Sequence, residues 1–201
     1  MSKLDRRIPT PLFALLLLLG SALAGAHADT LFAMTPDQLI RALNADGGVR
    51  VKTFEEVRSP GDIQFEGSVF FRFGQCIDAF ASFDSQSNRI TTIELQPTAD
   101  DHAGCTIQIG SPDEREMISD STARIVRVLS SVHDRTKIFN QMQELKGRLK
   151  AVPPLPGAAT NPANELGLGE LRTANLNIGG VWVSLTETLN GTRYEYDITA
   201  D

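Results

Sequence analysis

Few residues in this chain have the types and spacing that chemistry requires. Cys76 and Cys105 are the two cysteines, and both fall within Gly67–Ile109, the densest run of strand-like sequence. In an oxidising compartment such a pair closes as a disulfide, whereas a reducing one keeps thiols or metal ligands. A metal site would have to draw on Asp100-Asp101-His102 and His133. Consecutive residues in a turn do not all face one ion, and no Cys/His spacing of the zinc type is present. These residues therefore read as a solvated acidic loop and a surface histidine, and no metal or cofactor is expected.

Nucleophilic and acid–base chemistry fare no better. The chain has no G-x-S-x-G turn to present a serine. A carboxylate pair for glycoside hydrolysis is a spatial fact that sequence does not carry. Asp78, expected among Phe71, Phe80 and Leu95, is the carboxylate that best fits a buried general acid. A strand-end acid reaching solvent or a backbone N–H is the plainer reading. Gly167-Leu168-Gly169 and Gly179-Gly180 match no phosphate-binding fingerprint. Arg135, Lys137, Lys146, Arg148 and Lys150 are interspersed with Asp134 and Glu144 and lack interleaved aromatics, which describes a solvated helix face and not a nucleic-acid site.

Export is the context for the cysteines. Lys3, Arg6 and Arg7, the apolar run Leu12–Leu19 and Ala26-His27-Ala28 make the three parts of a secretory signal peptide over residues 1–28. The run falls short of the roughly 20 apolar residues that span a bilayer, so no transmembrane anchor is expected after cleavage. Cleavage removes three basic residues and one acid from totals of 19 and 25, leaving 16 and 24 and a net charge of −8. That balance disfavours a surface for phosphates or anionic membranes as the main business and fits a soluble protein, or one with a basic partner.

Residues 29–201 are expected to fold as one α+β domain. Thr35-Pro36-Asp37-Gln38 is a capping box that starts a helix with Leu39, Ile40 and Leu43 on one face, ended by Asp46-Gly47-Gly48. A weak strand, Val49–Phe54, and a turn at Arg58–Asp62 follow. Ile63, Phe65, Val69, Phe71 and Phe73 then alternate with period two. Gly74-Gln75 suits a two-residue type II′ turn, which would set Phe71 opposite Asp78 and Val69 opposite Phe80. Strands Cys76–Asp84 and Arg89–Gln96 complete a meander, with an Asp84/Arg89 pair expected to close their loop. A strand Thr106–Ile109 beyond Arg89–Gln96 would lie two strand spacings, roughly 9 to 10 Å, from Cys76. A disulfide needs Cα atoms within about 7 Å. Cys105 must then sit in a loop crossing the strand ends, or the last strand pairs elsewhere.

Ser111-Pro112-Asp113-Glu114 opens a second helix whose apolar positions, Ile118, Ile125, Leu129, Val132, Phe139, Met142, Leu145 and Leu149, persist to Lys150. Unbroken it would run about 58 Å, so a break is expected near Ser130–Asp134. The alternative is a projecting helix whose stripe drives homo-oligomerisation. A Pro-rich loop spans 151–170. Val181–Thr188 and Arg193–Ala200 then form a hairpin across Asn190-Gly191. Its register pairs Val183 with Ile198, Leu185 with Tyr196 and Glu187 with Tyr194. The other face pairs Trp182 with Thr199, Ser184 with Asp197 and Thr186 with Glu195, leaving the single tryptophan on the polar side. The Asn190-Gly191-Thr192 sequon is explained by the turn alone.

The predicted fold is thus α+β: an antiparallel sheet, built from the central meander and the C-terminal hairpin, packed against a long helix, broken or continuous over 112–150, and closed by one disulfide, Cys76–Cys105. The functional expectation is a non-catalytic periplasmic or secreted protein that binds another protein, as an inhibitor, immunity-type or envelope accessory factor does. Its candidate surface is Trp182, Ser184, Thr186, Glu195 and Asp197. A small-molecule or glycan-binding domain with a pocket between sheet and helix is the alternative, and an envelope hydrolase around Asp78 the third.

Overall fold

The computed structural model describes residues 32–57, 66–98, 104–107, 111–154, 170–188 and 194–201. The signal segment 1–28, the Arg58–Asp62 turn, Ile63, Phe65, Asp100–His102, Asn190–Thr192 and most of the Pro-rich loop lie outside the described residues. Helix α1, Pro36–Ala45, begins with the reciprocal box: Thr35 Oγ1 accepts from the Gln38 N–H at 3.3 Å and Gln38 Oε1 from the Thr35 N–H at 2.9 Å. Its face of Leu39, Ile40 and Leu43 is buried. A short strand β1, Val51–Thr53, and a single helical turn α2, Phe54–Val57, follow. Strands β2, Ser68–Phe73, β3, Ile77–Phe83, and β4, Ile90–Pro97, form the meander. Helices α3, Pro112–Leu129, and α4, Arg135–Ala151, precede strands β5, Glu170–Asn177, β6, Val181–Thr188, and β7, Tyr194–Ala200.

Among the described residues, seven strands make one antiparallel sheet in the order β1-β2-β3-β4-β7-β6-β5. One face is mainly apolar, with Val51, Phe71, Phe73, Ile77, Ala79, Leu95, Ile93, Ile198, Tyr196, Leu185, Val183, Ala174 and Leu176, and carries the Arg172–Glu187 ion pair towards one end of β5 and β6. Helices α3 and α4 lie on this face, α3 over β4 and β7 and α4 over β5 and β6, while α1 packs beside α3. The molecule is therefore a two-layer α+β structure, with a helical layer on one side of the sheet.

The expected break in the long helix occurs at Ser130–Asp134: α3 ends at Leu129, and Asp134 caps α4 by accepting from the Lys137 N–H. The two halves fold back onto the sheet, burying Ile118, Ile125, Met142, Leu145 and Leu149 within the chain. The stripe that would have driven homo-oligomerisation is thereby consumed, and of its residues only Phe139 remains largely exposed, at 54%.

The loop between β2 and β3 differs from the two-residue turn. Gly74 takes a positive φ of 59°, as a type II′ turn requires, but the loop comprises Gly74, Gln75 and Cys76. The extra residue is Cys76, which leaves the ladder to join Cys105 with Cα atoms 5.0 Å apart. The register shifts by one: Asp78 faces Arg72, Phe71 faces Ala79, and Val69 faces Ala81. Cys105 lies in an irregular segment, and Thr106 and Ile107 form no strand. The place beyond β4 is taken by β7. Around the next loop Asp84 and Arg89 meet through their backbones (N–H to O, 2.9 Å), while the Asp84 carboxylate accepts from Ser87.

Strand β5 was not foreseen. It begins at Glu170, the last residue assigned to the Pro-rich loop, and pairs with β6 across Gly179-Gly180. Both glycines have positive φ (63° and 86°), the requirement of a type I′ turn. The C-terminal hairpin has the expected register at every pair.

Candidate functional site

The second face of the sheet divides in two. Over β1–β3 it is covered: Phe54 of α2 meets Phe70 edge-on, Phe70 meets Phe80, and the Arg72 guanidinium lies over the Phe70 ring at 5.5 Å. Beside them Arg72 donates to Asp78 through Nε (2.5 Å to Oδ1) and Nη2 (3.3 Å to Oδ2), and both side chains are buried. Asp78 is thus the acid of a forked ion pair inside the sheet layer, on the opposite face from Phe71 and Leu95. A carboxylate held this way serves structure, and no second carboxylate faces it in the pairing of β2, β3 and β4.

Over β4, β7, β6 and β5 the face is polar. In register order it carries Thr92 and Glu94, then Thr199, Asp197 and Glu195, then Trp182, Ser184 and Thr186, then Asn177, Asn175 and Thr173. Pleat alternation sends these side chains away from the helices. Of the five candidate surface residues, Trp182 is 42% exposed and Asp197 is exposed. Ser184 and Glu195 are half-buried, Ser184 hydrogen-bonding Asn175 at 2.6 Å. Thr186 is buried and shares a 3.0 Å hydrogen bond with Thr173, so it supports the surface from beneath. Trp182 Nε1 donates to Asp201 Oδ1 at 2.9 Å, which fixes the indole while leaving its ring accessible.

Glu94, missed by sequence reasoning, belongs to this surface. It is exposed and sits directly opposite Asp197. Like charges facing across a strand pair oppose sheet formation by a few tenths of a kcal/mol. The signal that could have found it was the β4–β7 neighbour relation, which spans half the chain. Among the described residues the face has four acids, Glu94, Glu195, Asp197 and Asp201, and no lysine or arginine.

The helical layer carries a second constellation. Gly47 and Gly48, after α1, together with Ala123, Arg124 and Arg127 of α3 and Arg135, Ile138 and Phe139 of α4, line a cleft of about 330 Å³. Arg124 donates to two neutral carbonyls, Val49 O at 2.7 Å and Leu43 O at 2.9 Å, and lies over the Phe73 ring. Arg127 pairs with Asp46. Burial, and then the charge of Arg135, lower the proton affinity of both Arg124 and Arg127. Alongside, Arg115, Glu116, Ser119, Asp120, Gln143, Lys146 and Tyr194 line a groove of about 460 Å³. There burial, then Glu116, push Asp120 up, while burial pushes Lys146 down and Asp120 opposes that shift. His133 is exposed, with Nδ1 3.1 Å from Arg127 O. No group of three or more metal-ligating side chains occurs among the described residues, nor any helix long and apolar enough to cross a membrane.

Comparison with protein-family models, with characterised proteins and with solved structures returns no match for this chain.

Proposed function

We propose that this is an exported, disulfide-closed binding protein that acts without catalysis. Its uncovered sheet face takes a protein segment carrying basic side chains. The observation that carries this reading is the composition of this face: an accessible tryptophan beside four acids and, among the described residues, no basic one. Tryptophan on a rigid strand supplies a large contact area at little entropic cost and is enriched among residues that dominate binding energy. A lysine or arginine of the partner would find the exposed Glu94 carboxylate on this face, and acid excess over the exported chain would speed encounter. Export rests on the signal-type segment and the disulfide, which oxidising compartments favour.

The test is capture from envelope extract with the oxidised protein, side by side with W182A and E94K. Wild type should retain a stoichiometric protein partner that 0.5 M salt weakens, as about a Debye length of 4 to 5 Å predicts for exposed charges. W182A should weaken binding at least about thirtyfold, the equivalent of 2 kcal/mol. Because Trp182 is the single tryptophan, its fluorescence reports the complex directly. Equal capture by both variants, or no partner at all, would overturn the proposal.

A further inference from the structure

The break at Ser130–Asp134 has a second result. It turns α4 back so that Arg135, in its first turn, stands beside Arg124 and Arg127 on the last turns of α3. Three guanidinium groups then share one cleft of about 330 Å³. Only Arg127 has a carboxylate partner there, Asp46. Arg124 is met by two backbone carbonyls, which stabilise its N–H groups without cancelling its charge. Arg135 is exposed, and its charge acts on both Arg124 and Arg127. The Nε–H groups of Arg124 and Arg127 are both buried with no hydrogen-bond acceptor. Closed off from the cleft, these Nε–H groups leave the charge of the three guanidinium groups as what an entering anion would meet.

We propose that this cleft binds a small organic anion, a carboxylate or phosphate monoester with an apolar body. Guanidinium groups match planar or tetrahedral oxyanions with forked, charge-assisted hydrogen bonds. The apolar body is accommodated by Ala123, Ile138 and Phe139, which line the cleft with the arginines. Exposure of Phe139 at 54% is otherwise unexplained by the packing of α4. The volume lies at the lower end of the range for small-molecule sites, which limits the body to about one ring. Asp120 also lines the cleft, but the charges that act on it are Glu116 and Lys146 on the groove side, and neither Arg124 nor Arg127 is eased by it.

The experiment is calorimetric titration of the oxidised, full exported chain with phenyl phosphate, benzoate, inorganic phosphate and benzyl alcohol. Phenyl phosphate or benzoate should bind at least tenfold more tightly than benzyl alcohol, and phenyl phosphate more tightly than inorganic phosphate. The stronger of the two aromatic anions identifies the head group. R135Q should weaken that anion at least tenfold, by loss of one charged donor. In the ligand-free state R135Q should melt no lower than wild type, because it removes a cation repelled by two others. F139S should weaken the aromatic anions and leave inorganic phosphate unchanged. Equal binding of benzyl alcohol, unchanged affinity in R135Q, or no heat from either aromatic anion up to about 10 mM would each overturn the assignment.

Discussion

Replacing one member of the Arg72–Asp78 pair should strand the other, so the costs of the two single replacements should not add. The two side chains are only 8% and 10% exposed and are joined by two hydrogen bonds of 2.5 and 3.3 Å. At about 4 Å between charge centres and an effective dielectric of about 20, their attraction is about 4 kcal/mol, and desolvation offsets most of it in the intact protein. R72M keeps the volume but strands a buried carboxylate, at a cost of about 3 to 5 kcal/mol. D78L strands the guanidinium, which keeps the Phe70 ring and its further contacts, so its cost falls at the lower end of that range. R72M/D78L should cost clearly less than the two single variants together, because neither member of the pair is left buried without the other. Urea unfolding of the oxidised proteins, followed by circular dichroism, measures all four corners of this cycle. With a slope of about 2 kcal/mol/M the single variants should lose about 1.5 to 2.5 M in midpoint. A double variant that loses the sum of the two single costs would refute the reasoning, since it would mean that the pair is not energetically coupled.

Opening the disulfide with C76S/C105S should cost about 3 to 4 kcal/mol, from a loop whose ends are 29 residues apart, and should raise the urea slope because the unfolded chain expands. A loss below about 1 kcal/mol would indicate that the 76–105 loop is ordered without the bond. G179A should destabilise by about 2 kcal/mol or more in the same assay, because φ is +63° and the added Cβ would lie 2.8 Å from Val132 Cγ2 and 3.2 Å from Val132 N. An unchanged midpoint would contradict that packing. Asp120, whose pKa is raised by burial and by Glu116, binds a proton more readily folded than unfolded. Its contribution to stability is therefore present at low pH and lost as pH rises through its range. The midpoint difference between D120N and wild type should accordingly grow in favour of D120N from pH 3.5 to pH 7, and a constant difference would show that Asp120 is not perturbed.

What could be read from the residues depended on how local the constraint was. Val181–Ala200 was legible to the level of individual pairs because a two-residue Asn-Gly loop leaves one register and the alternating residues agree with it. The caps at Thr35 and Ser111 are likewise local chemistry: Thr35 makes the full reciprocal box, and the Ser111 hydroxyl accepts from the Glu114 N–H. The β2–β3 loop obeyed a distant constraint: Cys76 is withdrawn by Cys105, so the loop gains a residue and Asp78 moves to the other face. Strand β5 was overlooked because Glu170–Asn177 follows a Pro-rich stretch and has small or polar residues at most positions, although Leu171, Ala174 and Leu176 stand among them. Gly179-Gly180, weighed as a phosphate loop, was its turn signal. The sheet surface was half legible. Trp182 was correctly placed on the polar face, but Glu94 joins it only through the β4–β7 pairing. The arginine cleft could not be read, since Arg135 approaches Arg124 and Arg127 only through the angle at which the helix breaks.

That angle is held from a distance. Gly179 O accepts from the Ser131 N–H at 3.0 Å and from the Ser131 Oγ at 3.1 Å, so the β5–β6 turn grips the junction between α3 and α4. The sheet edge therefore works as a gauge block for the cleft: the height of a two-glycine turn sets how far Arg135 stands from its two counterparts. A change in that turn, 48 residues from Ser131 in the chain and outside the cleft lining, would shift the junction that carries Arg135 without replacing any residue that lines the cleft.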